Sequence, residues 1–253
     1  MRLLTLARDL RRRRAREREG YFVVEGVRAN EELLRSQLEL VGVLTAPQLD
    51  GTERGRRLRT AVMQRGVEHS EVSEREFASA AETESPQGVL AVVRAPVRGL
   101  SDLEGRQLLR LVVLDAVQDP GNVGAIIRTA AALGASGTIA LPGTVDVWNA
   151  KVVRSAMGAH FHHLSFHTTW DELRSFLAKE GCELWGSARE GEGIPLSAPP
   201  KLALAVGNEG SGMTPALRDA TQRIVSIPMD GMVDSLNVAV ATGILLFALS
   251  AKR

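Results

Sequence analysis

The hydrophobic pattern has two textures along the chain. Up to about residue 95 the apolar positions come in short runs broken by charge. Tyr21–Glu25 reads as a short strand, Gly26–Ser36 as a helix carrying Leu33 and Leu34, and Leu40–Leu44 as a second strand. Gly55–Arg65 has helical spacing and Val67–Val72 is extended. Ser73 opens another helix, with Glu76 placed for a capping box. Gly88–Arg94 (GVLAVVR) reads as a buried strand. Alternating strands and helices predict a small α/β domain over residues 21–95.

Ala95–Gln107 (APVRGLSDLEGRQ) loses this periodicity and carries Pro96, Gly99 and Gly105, so residues 96–107 read as a linker. The second texture, residues 108–253, is more apolar. Leu109–Asp115 is a continuous hydrophobic run, as in strands covered on both faces of a parallel sheet. Asn122–Leu133 is helical and stopped by Gly134, and Thr138–Leu141 is the next strand. The alternation continues with helices around Ala150 and Asp171, strands at Glu183–Ser187, Leu202–Gly207 and Ile224–Pro228, and a last helix from about Ser235. An α/β fold with a parallel C-terminal sheet is expected.

Composition narrows the class. With 253 residues, 44% hydrophobic and 24% charged, the chain can build two packed domains. One cysteine, Cys182, excludes an intramolecular disulfide and a cysteine-cluster zinc site. The N-terminus shows no signal-peptide pattern, and Leu236–Leu249 is too short for the ~20 residues of a membrane span. A soluble, cytoplasmic protein with no membrane contact is expected. Residues 1–20 hold eight Arg against Asp9, Glu17 and Glu19, so this basic helix or arm carries +5 of a net +1. It could meet RNA phosphates or be a solvated helix face.

Two nucleotide-site readings fail on detail. The turn Asp119–Gly124 (DPGNVG) lacks the first glycine of a dinucleotide fingerprint, and Gly207–Gly212 is followed by Met213 where a P-loop needs lysine. Three stretches instead stand in a telling order: DPGNVGAIIRTAAALG (Asp119–Gly134), AVGNEGSGM (Ala205–Met213) and IPMDGMVDSLNVAVATGILL (Ile227–Leu246). They resemble the motifs of the SpoU (TrmH) family of RNA ribose 2′-O-methyltransferases, within the SPOUT class. GYFVVEGVRANEELL and SPQGVLAVV resemble the substrate-binding domain often joined to it.

The resemblance implies a C-terminal domain with a trefoil knot, S-adenosylmethionine as cofactor, a homodimer and an RNA substrate. The two-domain form resembles the ribosomal RNA members more than the transfer RNA ones; a non-catalytic RNA-binding relative is the rival from another class. Arg128 is the residue the family implies is catalytic, with Asn122, Glu209, Ser235 and Asn237 beside it. Gly207, Ile227, Met229 and Leu236 are implied as the cofactor wall. A guanidinium is a poor base, so Arg128 could take a proton or clamp a phosphate. Its neighbours Ile126, Ile127, Ala130 and Ala131 suggest a face with little solvent. Glu209 could equally cap its own turn. Of only five asparagines, Asn122, Asn208 and Asn237 lie in the motifs, where helix propensity disfavours them. His160, His162, His163 and His167 tempt a metal reading. Strand alternation would split them between two faces with no acidic partner nearby, so no metal is expected.

Overall fold

A computed structural model describes residues 3–230 and 235–249. Residues 231–234, inside the third motif, lie outside them. The chain divides into two units: Met1–Val97 with Trp148–His162, and Arg98–Val147 with His163–Arg253.

In the first unit, β1 (Tyr21–Glu25), β2 (Leu40–Thr45), β3 (Glu68–Glu71) and β4 (Val89–Arg94) form a sheet in the order β1-β4-β2-β3. Alternation along the strands sends Phe22, Val24, Val89, Ala91 and Val93 to one core. That core takes Leu33 of α3 (Val27–Arg35) and Leu58 and Val62 of α4 (Glu53–Met63). Val23, Leu90 and Val92 face the other core, with Leu3 and Ala7 of α1 (Leu3–Asp9) and Phe77 of α5 (Glu74–Ala80). The Ser73–Glu76 capping box at the start of α5 is present.

The N-terminal segment is not a free arm. Leu3, Ala7 and Leu10 are buried, and α2 (Arg13–Glu19) follows directly. Arg16 is itself buried and donates to the Leu10 and Arg11 carbonyls at 2.8 and 3.0 Å, which closes the bend between α1 and α2. That arginine is structural, while Arg11, Arg12, Arg13 and Arg14 are exposed.

Trp148–His162 also belongs to this unit, although it follows the first two strands of the second. It contains α7 (Ala150–Ser155). The Trp148 ring lies 4.4 Å from those of Phe22 and His160, and Val153 and Phe161 join the α3–α4 core. Arg154 stands 3.7 Å from the buried carboxylate of Glu25, an ion pair too long to be a hydrogen bond. The histidine stretch is not one strand: Ala159–Phe161 is a 3₁₀ turn and only Ser165–His167 is extended. Among the described residues no group of three or more His, Cys, Asp or Glu is placed to hold a metal.

The second unit is a parallel sheet of β5 (Leu109–Asp115), β6 (Gly137–Ala140), β7 (Ser165–His167), β8 (Glu183–Gly193), β9 (Lys201–Gly207) and β10 (Arg223–Ser226), in the order β10-β8-β9-β5-β6-β7. Leu109, Leu111, Val113, Ala203 and Ala205 pack against Leu173, Phe176 and Leu177 of α8 (Trp170–Glu180). Leu103 enters the same core, so the expected linker is partly consumed by this unit. α6 (Pro120–Ala132) packs against α10 (Val238–Leu249), and the short α9 (Pro215–Asp219) precedes β10.

Strand order fixes where a ligand site belongs. From β5 the chain runs outward through β6 and β7, then crosses to the other side for β8 and β9. The carboxyl ends of the paired neighbours β5 and β9, where Asp115 stands opposite Gly207, are therefore a topological switch point. Open α/β sheets bind ligands in the crevice outside such a point.

Candidate active site

Loops leaving β5 and β9 meet at this point. After β5, Ala116 takes a left-handed conformation (φ 57°), and Asp119 then caps α6 by accepting from the Asn122 N–H at 2.8 Å. Proline at the first helical position, Pro120, completes an ordinary start signal. Asn122 therefore sits in the first turn of α6, its carboxamide directed away from the helix.

Three of the five polar residues expected in the site are joined in a chain. The Asn122 Nδ2 donates to Glu209 Oε1 at 2.9 Å, and the Asn237 Nδ2 donates to Asn122 Oδ1 at 2.8 Å. Asn237 Oδ1 accepts from the Ala239 and Val240 N–H groups at 2.9 and 3.3 Å, so the same residue caps α10. That capping role explains why α10 begins at Val238 and not at Ser235. Each amide is oriented by its neighbours, which leaves Glu209 as the end of the chain. Glu209 does not cap its own turn; Asn208 does, accepting from Gly210 N–H and Ser211 N–H at 2.9 and 3.1 Å.

Arg128 stands six residues beyond Asn122, about 9 Å further along the helix axis. It is exposed, whereas Ile126, Ile127 and Ala130 are buried, so the face bearing Arg128 is solvated despite its apolar neighbours. Among the described residues it makes no hydrogen bond or ion pair within the protein. A guanidinium with no internal partner, on the helix whose first turn carries Asn122, is available to an anionic ligand.

A cavity of about 140 Å³ lies in the same unit. Ile227, Met229, Leu236 and Ala241 give it apolar walls, and Ser187, Ser235 and Arg189 add polar groups. Three of the four expected wall residues are present, with Ser235, which was expected beside Arg128. Gly207 is not among the lining residues. A Cβ there would meet Gly212 C and Met213 N at 2.2 Å, so its glycine permits the closed β9 turn. Two local features open the cavity: residues 227–230 belong to no helix or strand, and the β8–β10 register skips from Gly186 to Glu192. No sequence signal marks that skip, so Ser187, Ala188 and Arg189 were not anticipated; Asp119 and Asn208 were visible as a capping signature and a rare asparagine. Apolar walls with a few hydrogen-bonding groups fit a flat heterocycle joined to a polar tail.

Comparison with known proteins decides the family. Residues 110–247 match the SpoU rRNA Methylase family and residues 5–91 the MRM3-like substrate binding domain. The chain belongs to the SpoU rRNA methylase family. Among its SpoU relatives, a 23S rRNA (guanosine(2553)-2′-O)-methyltransferase of Bacillus subtilis (strain 168), RlmP, is 35% identical over 245 residues, 96% of this chain and 93% of the relative. A 23S rRNA (guanosine-2′-O-)-methyltransferase of Shewanella oneidensis, RlmB, is 33% identical over 89% of this chain and 95% of its own length. The crystal structure of the SpoU methyltransferase AviRb from Streptomyces viridochromogenes, in complex with AdoMet, superposes with a TM-score of 0.87 at 28% identity, covering 98% of this chain and 96% of that one. Among the described residues no helix is long and apolar enough to cross a membrane.

Proposed function

We propose that this chain is an S-adenosylmethionine-dependent methyltransferase acting on a ribose 2′-hydroxyl of ribosomal RNA. The observation that carries the reading is the Asn237–Asn122–Glu209 chain at the β5–β9 switch point, whose middle member stands on the helix that presents Arg128. Relatives named for 23S rRNA methylation span nine-tenths of the chain, which favours ribosomal over transfer RNA.

Ser187, Arg189, Ile227, Met229, Leu236 and Ala241 would hold the cofactor, the apolar walls meeting its adenosine. When bound, the cofactor supplies a methyl group already activated on a sulfonium, so we assign the reaction no metal. The protein's task is to place the hydroxyl and manage its proton. Arg128 clamps RNA phosphate beside the reacting ribose, because a planar guanidinium presents paired N–H donors that match phosphate oxygens. Glu209 is the carboxylate of the site. Asn122 holds Oε1, and among the described residues Oε2 accepts no hydrogen bond, which leaves it for the hydroxyl. Asn237 keeps Asn122 from rotating, and Ser235, two residues before Asn237, offers a hydroxyl to the cavity.

By sequence, we assign substrate binding to residues 21–95 with the basic helices of residues 1–20 packed on their sheet, and a knotted SPOUT domain to 108–253, with Trp148–His162 contributing to the first unit's core. The knot is assigned from family membership. We also read the protein as a cytoplasmic homodimer. Val240, Ile244 and Phe247 of α10 lie at helical spacing and expose 51%, 39% and 71% of their surface, an apolar stripe that suits a second copy.

The test is Arg128→Ala. Methyl transfer to undermethylated ribosomal RNA should fall at least ~1,000-fold, while cofactor affinity by calorimetry stays within about threefold. Near-normal turnover would remove Arg128 from the mechanism, and a wild-type chain that binds RNA without transferring methyl would support the non-catalytic reading.

A further inference from the structure

Asn208 and Glu209 are consecutive, and they hold the two ends of one loop. Asn208 Nδ2 donates to the Ala116 carbonyl at 3.0 Å, where the loop leaves β5. Glu209 accepts from Asn122, where the loop has become α6. At the first of these points the chain turns through Ala116 at φ 57°, a left-handed conformation that is strained for a non-glycine residue and needs outside support. The Asn208 carboxamide is otherwise spent on its own turn. Its Oδ1 accepts from Gly210 N–H, Ser211 N–H and Ser211 Oγ at 2.9, 3.1 and 3.2 Å. The backbone of Asn208 exchanges two 2.9 Å hydrogen bonds with Gly212, and the buried Asp115 accepts from Thr214 N–H at 2.6 Å just beyond.

We propose that Asn208 is a positioning residue for methyl transfer: with Glu209 it forms a two-point bracket that fixes loop 116–122, and so the start of the helix bearing Asn122 and Arg128. Its side chain, committed to four contacts within the protein, acts through these neighbours and not on the substrate. The inference rests on the function proposed above. None of the residues lining the 140 Å³ cavity belongs to loop 116–122 or to the Asn208–Gly212 turn that holds it, so loosening the bracket misplaces the reacting groups without opening the cofactor seat.

Asn208→Ser and Asn208→Asp separate the contacts. Serine keeps an acceptor for the turn but cannot reach Ala116; aspartate keeps the acceptors and replaces only the donor. Both variants should lower kcat by about 30- to 100-fold, the cost of a misplacement near 1 Å, with the cofactor dissociation constant unchanged. Hydrogen exchange should quicken at residues 116–124 and remain as in the wild type in β5 and β9. In a double-mutant cycle with Asn122→Ala the kcat losses should fail to multiply, because both changes break the same bracket. Wild-type kcat in both variants would overturn the inference, as would losses that multiply with Asn122→Ala. A parallel loss of cofactor binding and of protection throughout the sheet would overturn it too, since that marks general destabilisation. A wild-type chain with no methyl transfer would instead sink the proposed function.

Discussion

Gly207 and Gly212 stand at the two ends of the β9 turn, and replacing each with alanine should have unequal consequences for different reasons. At Gly207 the new Cβ would lie 2.2 Å from Gly212 C and Met213 N and 2.4 Å from Gly212 O. These are backbone atoms, so no side chain can swing aside. Carbon contacts settle near ~3.5 Å, which forces the two strands of the turn apart by more than about 1 Å. The two 2.9 Å hydrogen bonds between Asn208 and Gly212 cannot survive that movement. Their loss, at ~1 kcal/mol each, adds to overpacking strain of ~1–3 kcal/mol, for a total near 4 kcal/mol. At Gly212, φ is 71° and nothing lies within 4 Å of a Cβ, so alanine meets only the left-handed conformational cost of ~1–2 kcal/mol. At ~2–4 °C per kcal/mol for a chain of this size, Gly207→Ala should lower Tm by about 10 °C and Gly212→Ala by about 4 °C. Thermal melts followed by circular dichroism read both. A Gly207→Ala melt within about 2 °C of wild type, or a larger loss at Gly212, would refute the steric argument.

Two further outcomes follow from particular side chains. Burial pushes the His163 imidazole down to about 4, so the unfolded chain binds its proton first. Stability is full above the unfolded value near 6.5 and is lost as pH falls from there to about 4, by up to ~3 kcal/mol. His163→Gln, which can still meet Thr138, should flatten that limb of a pH series of denaturant midpoints; an unchanged slope would contradict the burial argument. On α10, Phe247→Glu should place a charge in the apolar stripe and turn the dimer into a monomer by sedimentation, whereas a wild-type chain already monomeric at micromolar concentration would remove the homodimer reading.

Much of the second unit was legible because its signals are local. Leu109–Asp115 is a strand with the bounds its apolar run implied, and the helix expected from Asn122 is there but starts two residues earlier, at Pro120, because Asp119 and not Asn122 caps it. The capping box at Ser73 was equally plain, since it needs only two residues three apart. Hidden features are those decided by distant partners. Val153 and Phe161 are apolar enough to pack on any sheet, and nothing local says they join the first unit. The skip in β8 after Gly186 depends on where β10 pairs, and the histidine stretch bends at Gly158, φ 89°. Within the site, the sequence singled out three asparagines, but their roles differ: Asn122 links, Asn237 caps and links, and Asn208 braces a loop. Arg128 was placed on the right helix and the wrong kind of face.

The most direct measurement incubates the purified chain with S-adenosylmethionine labelled in its methyl group and with ribosomal RNA from cells lacking the protein. Nuclease digestion and mass spectrometry then locate the label. One nucleotide in the large ribosomal RNA should gain a 2′-O-methyl group, with none in transfer RNA and none formed by Arg128→Ala. Label on a base, label confined to transfer RNA, or cofactor binding with no transfer to any RNA would contradict the account.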